Sequence, residues 1–153
     1  MASIRSGIGE NMEDRYLFKA KRVYNGGKWV QGYYVKGLDM YDKEVHLIFE
    51  PNTMFYSSGE TDGWYKVDPS TICQCTGLKD KNGQPIWEND ICDRKEEYPE
   101  IVKYNNGDWT LDYSYSKGKE SGYCYCNLGF YALERKYVEV IGNVFDNPEL
   151  LKK

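Results

Sequence analysis

The sequence predicts a mainly β protein, with short helical turns near 131–136 and at the C-terminus. Three observations carry this. Aromatic residues make up 16% of the 153 residues, with 15 tyrosines, and such side chains fit a pleated, half-buried surface. Short runs of β-type residues recur, each broken by Gly, Asn, Asp or Pro. No long helical period interrupts them.

In chain order, residues 16–24 and 28–35 flank Asn25-Gly26-Gly27 and read as a tight hairpin, because Asn and Gly tolerate the positive φ of such turns. Tyr16, Phe18 and Ala20 share one face of the first strand; Trp29, Gln31, Tyr33 and Val35 share one face of the second. A third strand is expected over 44–50, where Val45, Leu47 and Phe49 alternate with His46 and Ile48 until Pro51-Asn52 stops it. Residues 57–63 form a polar, exposed loop. Short strands follow over 64–67 and 71–76, then over 91–94 and 101–104 around a charged, proline-containing connection at 95–100. Asn105-Asn106-Gly107-Asp108 turns into a strand over 109–113. A longer loop spans 114–122, a helical turn 131–136 and a last strand 137–144. Asn147 and Pro148 read as the cap and first-turn proline of a short terminal helix.

Net charge is −4, from 20 basic and 24 acidic side chains well interspersed. No strong basic run marks a generic nucleic-acid binder, and the chain is not acidic enough to mimic a duplex. No apolar run reaches the roughly 18–20 residues of a membrane helix, and the first eleven residues lack a signal-peptide core. A cytoplasmic protein with no membrane association is expected. Five cysteines (Cys73, Cys75, Cys92, Cys124, Cys126) then read as reduced thiols packed as small apolar groups. Their Cys-x-Cys spacing also invites a zinc reading, but structural zinc knuckles space paired ligands by two to four residues. No metal and no cofactor are expected.

The candidate chemistry is thin. Glu88 and Asp90 would share a face about 7 Å apart on an extended strand, yet Asn89-Asp90 reads better as strand-edge side chains bonding backbone. Glu134-Arg135-Lys136 matches a nuclease-like E-x-K fragment that chance also supplies. His46 is the single histidine and has no nucleophile motif near it. Gly7-Ile8-Gly9 lies in the N-terminal tail and makes no phosphate cradle. A non-enzymatic protein is expected. The binding residues put forward are Tyr56, Trp64, Tyr113, Tyr115, Tyr123 and Tyr125, with Lys117 and Lys119. The tyrosines spaced by two read either as a stacking or partner platform or as an ordinary core face.

The densest stretch is TGLKDKNGQPIWENDI, residues 76–91. Gly77 and Asn82-Gly83 supply turns, Ile86, Trp87 and Ile91 anchor a core, and Asp80 and Asp90 bond backbone. That segment within QCTGLKDKNGQPIWENDI (74–91), together with FKAKRVYNGGKWVQGYYV (18–35) and EVIGNVFDNPELL (139–151), resembles the YopX family of small proteins encoded largely by phages and prophages of Gram-positive bacteria. Gly77, Asp80, Asn82, Gly83, Trp87, Asp90, Gly142 and Asn143 are the structural motif residues of the resemblance. Asn89 stands where the family usually has glycine, and Cys75 where it commonly has an aromatic residue. Residues 1–11 precede the usual family start and are read as an extension or expression remnant; 12–153 are read as a single domain.

The resemblance implies a fold of coiled, bifurcated antiparallel sheets with small-barrel character, and self-association. It brings no activity and no catalytic residues. The expected function is a phage or prophage accessory protein that binds and modulates a host macromolecular machine, such as a defence nuclease inhibited in the manner of an anti-CRISPR. The partner would be a host protein. The alternative is a single-stranded nucleic-acid-binding β module using Tyr stacking with Lys103, Lys117 and Lys119. A metal-dependent hydrolase and a small-molecule sponge rank below both.

Overall fold

A computed structural model describes residues 14–51, 57–58, 62–116 and 125–152. The chain divides into two units, Met12–Gln74 and Cys75–Lys153. The mainly β expectation holds, and the antiparallel sheets are not closed into a barrel. Among the described residues no helix is long and apolar enough to cross a membrane.

In the N-terminal unit, strand β1 (Phe18–Lys21) and strand β2 (Trp29–Leu38) form the expected hairpin. Asn25, Gly26 and Gly27 all take positive φ, at 62°, 71° and 67°, the left-handed region that Gly and Asn enter at least cost. β2 continues into β3 (Glu44–Phe49), and β3 into β4 (Trp64–Lys66), so the order is β4-β3-β2-β1. Register follows period two: Ala20 opposes Val30, and Ile48 lies between Tyr34 and Tyr65. Ala20, Val30, Ile48 and Val67 form the core, with Phe18, Tyr65 and Ile72 packed on it. Fully burying a side chain such as Ile48 is worth about 1.5–3 kcal/mol. Tyr33 and Val35 face outward on β2.

β2 and β3 meet closely where Gly32 lies against Phe49. A methyl group added at Gly32 would sit 1.9 Å from the Phe49 carbonyl oxygen. Behind β4, Asp68 Oδ1 accepts the Ser70 N–H at 2.9 Å and opens a 3-10 turn, Pro69–Thr71. Thr71 Oγ1 then accepts the Lys21 N–H at 2.9 Å and ties that turn to β1.

Strand β5 (Cys73–Lys79) belongs to both units. Cys73 and Gln74 pair with β1, whereas Cys75 and Lys79 pair with β6 (Pro85–Trp87). The β5–β6 ladder is irregular at Gly77, whose φ is 77°. Thr76 Oγ1 repairs it by donating to the Ile86 carbonyl and accepting the Leu78 N–H.

The C-terminal unit continues with β7 (Asp90–Asp93), β8 (Glu100–Asn105), β9 (Asp108–Asp112), β10 (Tyr125–Asn127) and β11 (Glu139–Asn143), ordered β10-β9-β8-β7-β11. Asn106-Gly107 makes the tight β8–β9 turn with φ of 50° and 86°. Its core is Ile86, Cys92, Val102, Leu111, Leu128, Ala132 and Val138. The helical turn is Phe130–Arg135, a π-type segment closed by Lys136 in the left-handed region at φ 55°. The terminal helix is a 3-10 turn, Pro148–Leu151. Asn147 does not cap it: its Oδ1 accepts the Asn143 N–H at 3.3 Å, a loop-closing role that competes with capping.

Candidate functional site

The Asp80 carboxylate sets the geometry from which the site is built. It is 7% exposed, and Oδ1 accepts the N–H groups of Asn82 and Gln84 at 2.8 and 2.9 Å while Oδ2 accepts that of Val140 at 3.0 Å. One charge thus holds the turn containing Asn82 and Gly83 and also positions β11. Asp90 Oδ2 accepts the N–H of Trp87 at 2.8 Å, closing the β6–β7 connection. Asn89 sits there at φ 64°, which gives a reason why a glycine position accepts Asn. Glu88 lies in this turn and not on a strand, so it does not form the same-face pair with Asp90 that the spacing suggests. At β11, Asn143 Oδ1 accepts the N–H groups of Phe145 and Asp146, both at 3.0 Å. A methyl group on Gly142 would come within 2.6 Å of Asn147 Oδ1.

β7 leaves this framework into the 94–99 loop. Asp93 Oδ1 accepts the Lys95 N–H at 2.7 Å, and Lys95 turns the chain at φ 66°. The reversal carries Arg94 back over Glu100, the first residue of β8. Glu100 opposes Cys92 in the ladder and so points into the buried side. Its side chain is 2% exposed and that of Arg94 9%. Arg94 donates through Nε to Oε2 and through Nη2 to Oε1, both at 2.8 Å. The guanidinium also lies 4.2 Å from the Tyr131 ring centre and 3.3 Å from Cys126 Sγ. Hydrogen bonding to Glu100 raises the Arg94 pKa further above its ordinary value. Burial pushes the Glu100 carboxyl up while Arg94 pulls it down, and against a permanent cation at this distance the pair is ionised at neutral pH.

The bridge closes the floor of a cleft. A hollow of about 160 Å³ is lined by Arg94, Glu96, Glu97, Tyr98, Glu100 and Tyr113. A second hollow, of about 340 Å³, is lined by Glu97, Tyr98, Tyr115, Ser116 and Leu151. Glu97 and Tyr98 belong to both. Tyr115 donates its hydroxyl to the Pro99 carbonyl at 2.7 Å and fastens the loop to the wall opposite. A hydrogen bond with Glu97 raises the Tyr98 pKa, and burial raises that of Tyr115, so both hydroxyls stay protonated at neutral pH. The cleft therefore offers rigid phenol rings and hydroxyls beside carboxylates.

Of the binding residues expected from sequence, Tyr113 and Tyr115 line this cleft. They are not on one strand face. Tyr113 follows β9 and Tyr115 sits in a 3-10 turn, Ser114–Ser116, because Asp112 Oδ1 accepts the Ser114 N–H at 2.8 Å and bends the chain. Tyr125 opens the edge strand β10 opposite Asp112 and is exposed. Trp64 opens the edge strand β4 of the N-terminal unit, opposite Phe49, and is exposed. Tyr56, Lys117, Lys119 and Tyr123 lie outside the described residues, as do Gly7-Ile8-Gly9 and Cys124. Arg94, Tyr98 and Glu100 were not singled out from the sequence. The available signal was a carboxylate placed directly before the apolar pair Ile101-Val102.

Other candidates are engaged locally. His46 Nε2 faces Glu44 Oε1 at 2.9 Å, and its Nδ1 meets the Tyr34 hydroxyl at 2.7 Å. Glu134 is exposed in the π-type turn. Cys73, Cys75 and Cys92 are buried and Cys126 is half-buried, all as free thiols. Among the described residues no three His, Cys, Asp or Glu side chains are grouped to hold a metal ion.

Comparison with known proteins adds a family. Residues 18–152 match the family model described as YopX protein. A crystal structure of protein yopX from Bacillus subtilis is similar at 17% identity, covering 91% of this chain and 98% of that one, with a TM-score of 0.49. No curated protein matches the chain.

Proposed function

The chain belongs to the YopX family, and on that premise we propose that it is a non-enzymatic phage or prophage accessory protein that binds and modulates a host macromolecular machine. A nuclease of a host defence system is the first target to test. The observation that supports this reading is the cleft of the C-terminal unit, where Tyr98, Tyr113 and Tyr115 stand beside Glu96 and Glu97. Tyrosine supplies large contact area at low entropy cost and is enriched where interfaces concentrate their energy. The carboxylates favour a basic protein surface and would speed and orient its approach.

The test is affinity capture from host lysate with the intact protein and with a Glu96→Lys/Glu97→Lys variant. A host complex recovered with the first and lost with the second is the expected result. Equal recovery by both proteins, or recovery of the bait alone at every salt concentration, overturns the reading.

A further inference from the structure

Among the described residues, those other than glycine that take the left-handed backbone region are Asn25, Asp42, Asn89, Asn106, Lys95 and Lys136. Asn and Asp tolerate it through their short polar side chains. The two lysines do not share that advantage. Lys95 sits at φ 66° and Lys136 at φ 55°, and both line one hollow of about 200 Å³ together with Lys81, Arg94 and Tyr137. No carboxylate belongs to that lining. Strained backbone persists where the surrounding structure enforces it, and it gathers at ligand sites.

Separate contacts bring the lysines together. The Lys81 N–H bonds the Val138 carbonyl at 2.8 Å and sets the Asp80 turn beside the end of the π-type segment. Lys136 closes that segment with its N–H on the Tyr131 carbonyl. Lys95 turns the chain just after β7. Lys81 pairs with Glu139, and Lys95 with Asp93 at 2.9 Å, which fixes where both ammonium groups stand. An ammonium carries three N–H donors, so each keeps donors for a ligand. Lys136 makes no ion pair among the described residues.

A neighbouring hollow of about 180 Å³ shares Arg94 and Tyr137 and adds Glu96, Phe130, Tyr131 and Arg135. Arg94 covers the Tyr131 ring at 4.2 Å, and Phe130 meets that ring edge-on. Tyr137 makes neither contact and is 63% exposed, so its ring is open between the two hollows. Glu96 repels phosphate from the second hollow and can accept an N–H there. Together the hollows reach the roughly 300 Å³ at which small-molecule sites begin.

The geometry points to a nucleotide site on the C-terminal unit, in which Lys81, Lys95 and Lys136 hold the phosphates and the base stacks on Tyr137. An acidic peptide would meet the lysines and leave the ring unused. The three lysines and Tyr137 take no part in the tyrosine cleft, so each proposal survives failure of the other.

The test is isothermal titration calorimetry of the full chain with ADP and GDP in the presence of EDTA, beside adenosine, guanosine and inorganic pyrophosphate. At least one nucleotide should bind more tightly than its nucleoside and than pyrophosphate. Lys95→Asn/Lys136→Asn removes two charges and supplies the residue type that the left-handed region tolerates. It should keep the melting temperature and weaken the nucleotide about a hundredfold, about tenfold for each charge-assisted bond. Tyr137→Leu should weaken the nucleotide by about fivefold or more, the loss of one stacked base, and leave pyrophosphate unchanged. Lys28→Gln, in the other unit, should change nothing. Absence of binding by both nucleotides at low salt overturns the site. So does full affinity in Lys95→Asn/Lys136→Asn or in Tyr137→Leu, and so does pyrophosphate binding as tightly as the nucleotides.

Discussion

Arg94→Ala isolates the buried ion pair beneath the tyrosine cleft. Glu100 is 2% exposed and takes two guanidinium nitrogens at 2.8 Å, so truncation leaves a carboxylate inside the fold with no counter-charge. Removing one partner of such a pair costs about 3–5 kcal/mol. At about 2–4 °C per kcal/mol for a chain of this size, the melting temperature should fall by about 6–20 °C. Loss of the contacts with Tyr131 and Cys126 acts in the same direction. The penalty should also depend on pH. Burial already raises the Glu100 pKa in the intact protein; without Arg94 its folded-state value rises further above the unfolded value of about 4.3. A group with a raised folded pKa costs nothing below the unfolded pKa and costs most above the folded one. The destabilisation should therefore be full at neutral pH and shrink as the solution is acidified. Replacing both partners, Arg94→Met with Glu100→Leu, should recover most of the loss, because neither new side chain needs solvation. Urea unfolding followed by tryptophan emission, at neutral and mildly acidic pH, measures all three. A loss below about 1 kcal/mol, or one indifferent to pH, would refute the reasoning.

Gly32→Ala places a methyl group 1.9 Å from the Phe49 oxygen, so β2 and β3 must part; a loss of about 3 kcal/mol in thermal unfolding is expected, and an unchanged melting temperature counts against the close approach. Asp80→Ala deletes the acceptor of three backbone N–H groups and should cost about 3 kcal/mol by urea titration. Asp80→Asn, which keeps one acceptor oxygen, should cost less than Asp80→Ala; equal losses would contradict that assignment. Burial and the neighbouring Asp90, Glu100 and Asp80 hold the Cys92 thiol well above its ordinary pKa. Iodoacetamide should therefore label Cys92 only on unfolding, more slowly than half-buried Cys126, as read by peptide mass spectrometry.

Local rules account for much of the fold. The turns at Asn25-Gly26-Gly27 and Asn106-Gly107 were legible because their positive φ values suit Gly and Asn. The outward face of β2 was legible because side chains alternate along a strand. Asp80 and Asp90 were readable as backbone acceptors because carboxylates beside turn residues usually find nearby N–H groups. β6, Pro85–Trp87, was not foreseen as a strand: three residues show no period, and only pairing with β5 makes them one. Tyr113 and Tyr115 follow a period of two in the sequence, but the strand ends at Asp112, before either of them, where the Ser114 N–H bonds back to the Asp112 carboxylate.

The remaining geometry depended on residues far apart in the chain. Arg94 and Glu100 read as charges of a solvated connection until the turn at Lys95 and the pairing of Glu100 with Cys92 bury them together. The cations of residues 15–38 were visible as letters, yet only register sets Lys19 and Lys21 against Trp29, and only β4 brings Tyr65 beneath Arg22. The sequence by itself determined the strand class, the turns and the family, because those depend on neighbours along the chain. The tertiary structure decided which charges are buried and which stand over aromatic rings, because burial and stacking depend on residues that only folding brings together.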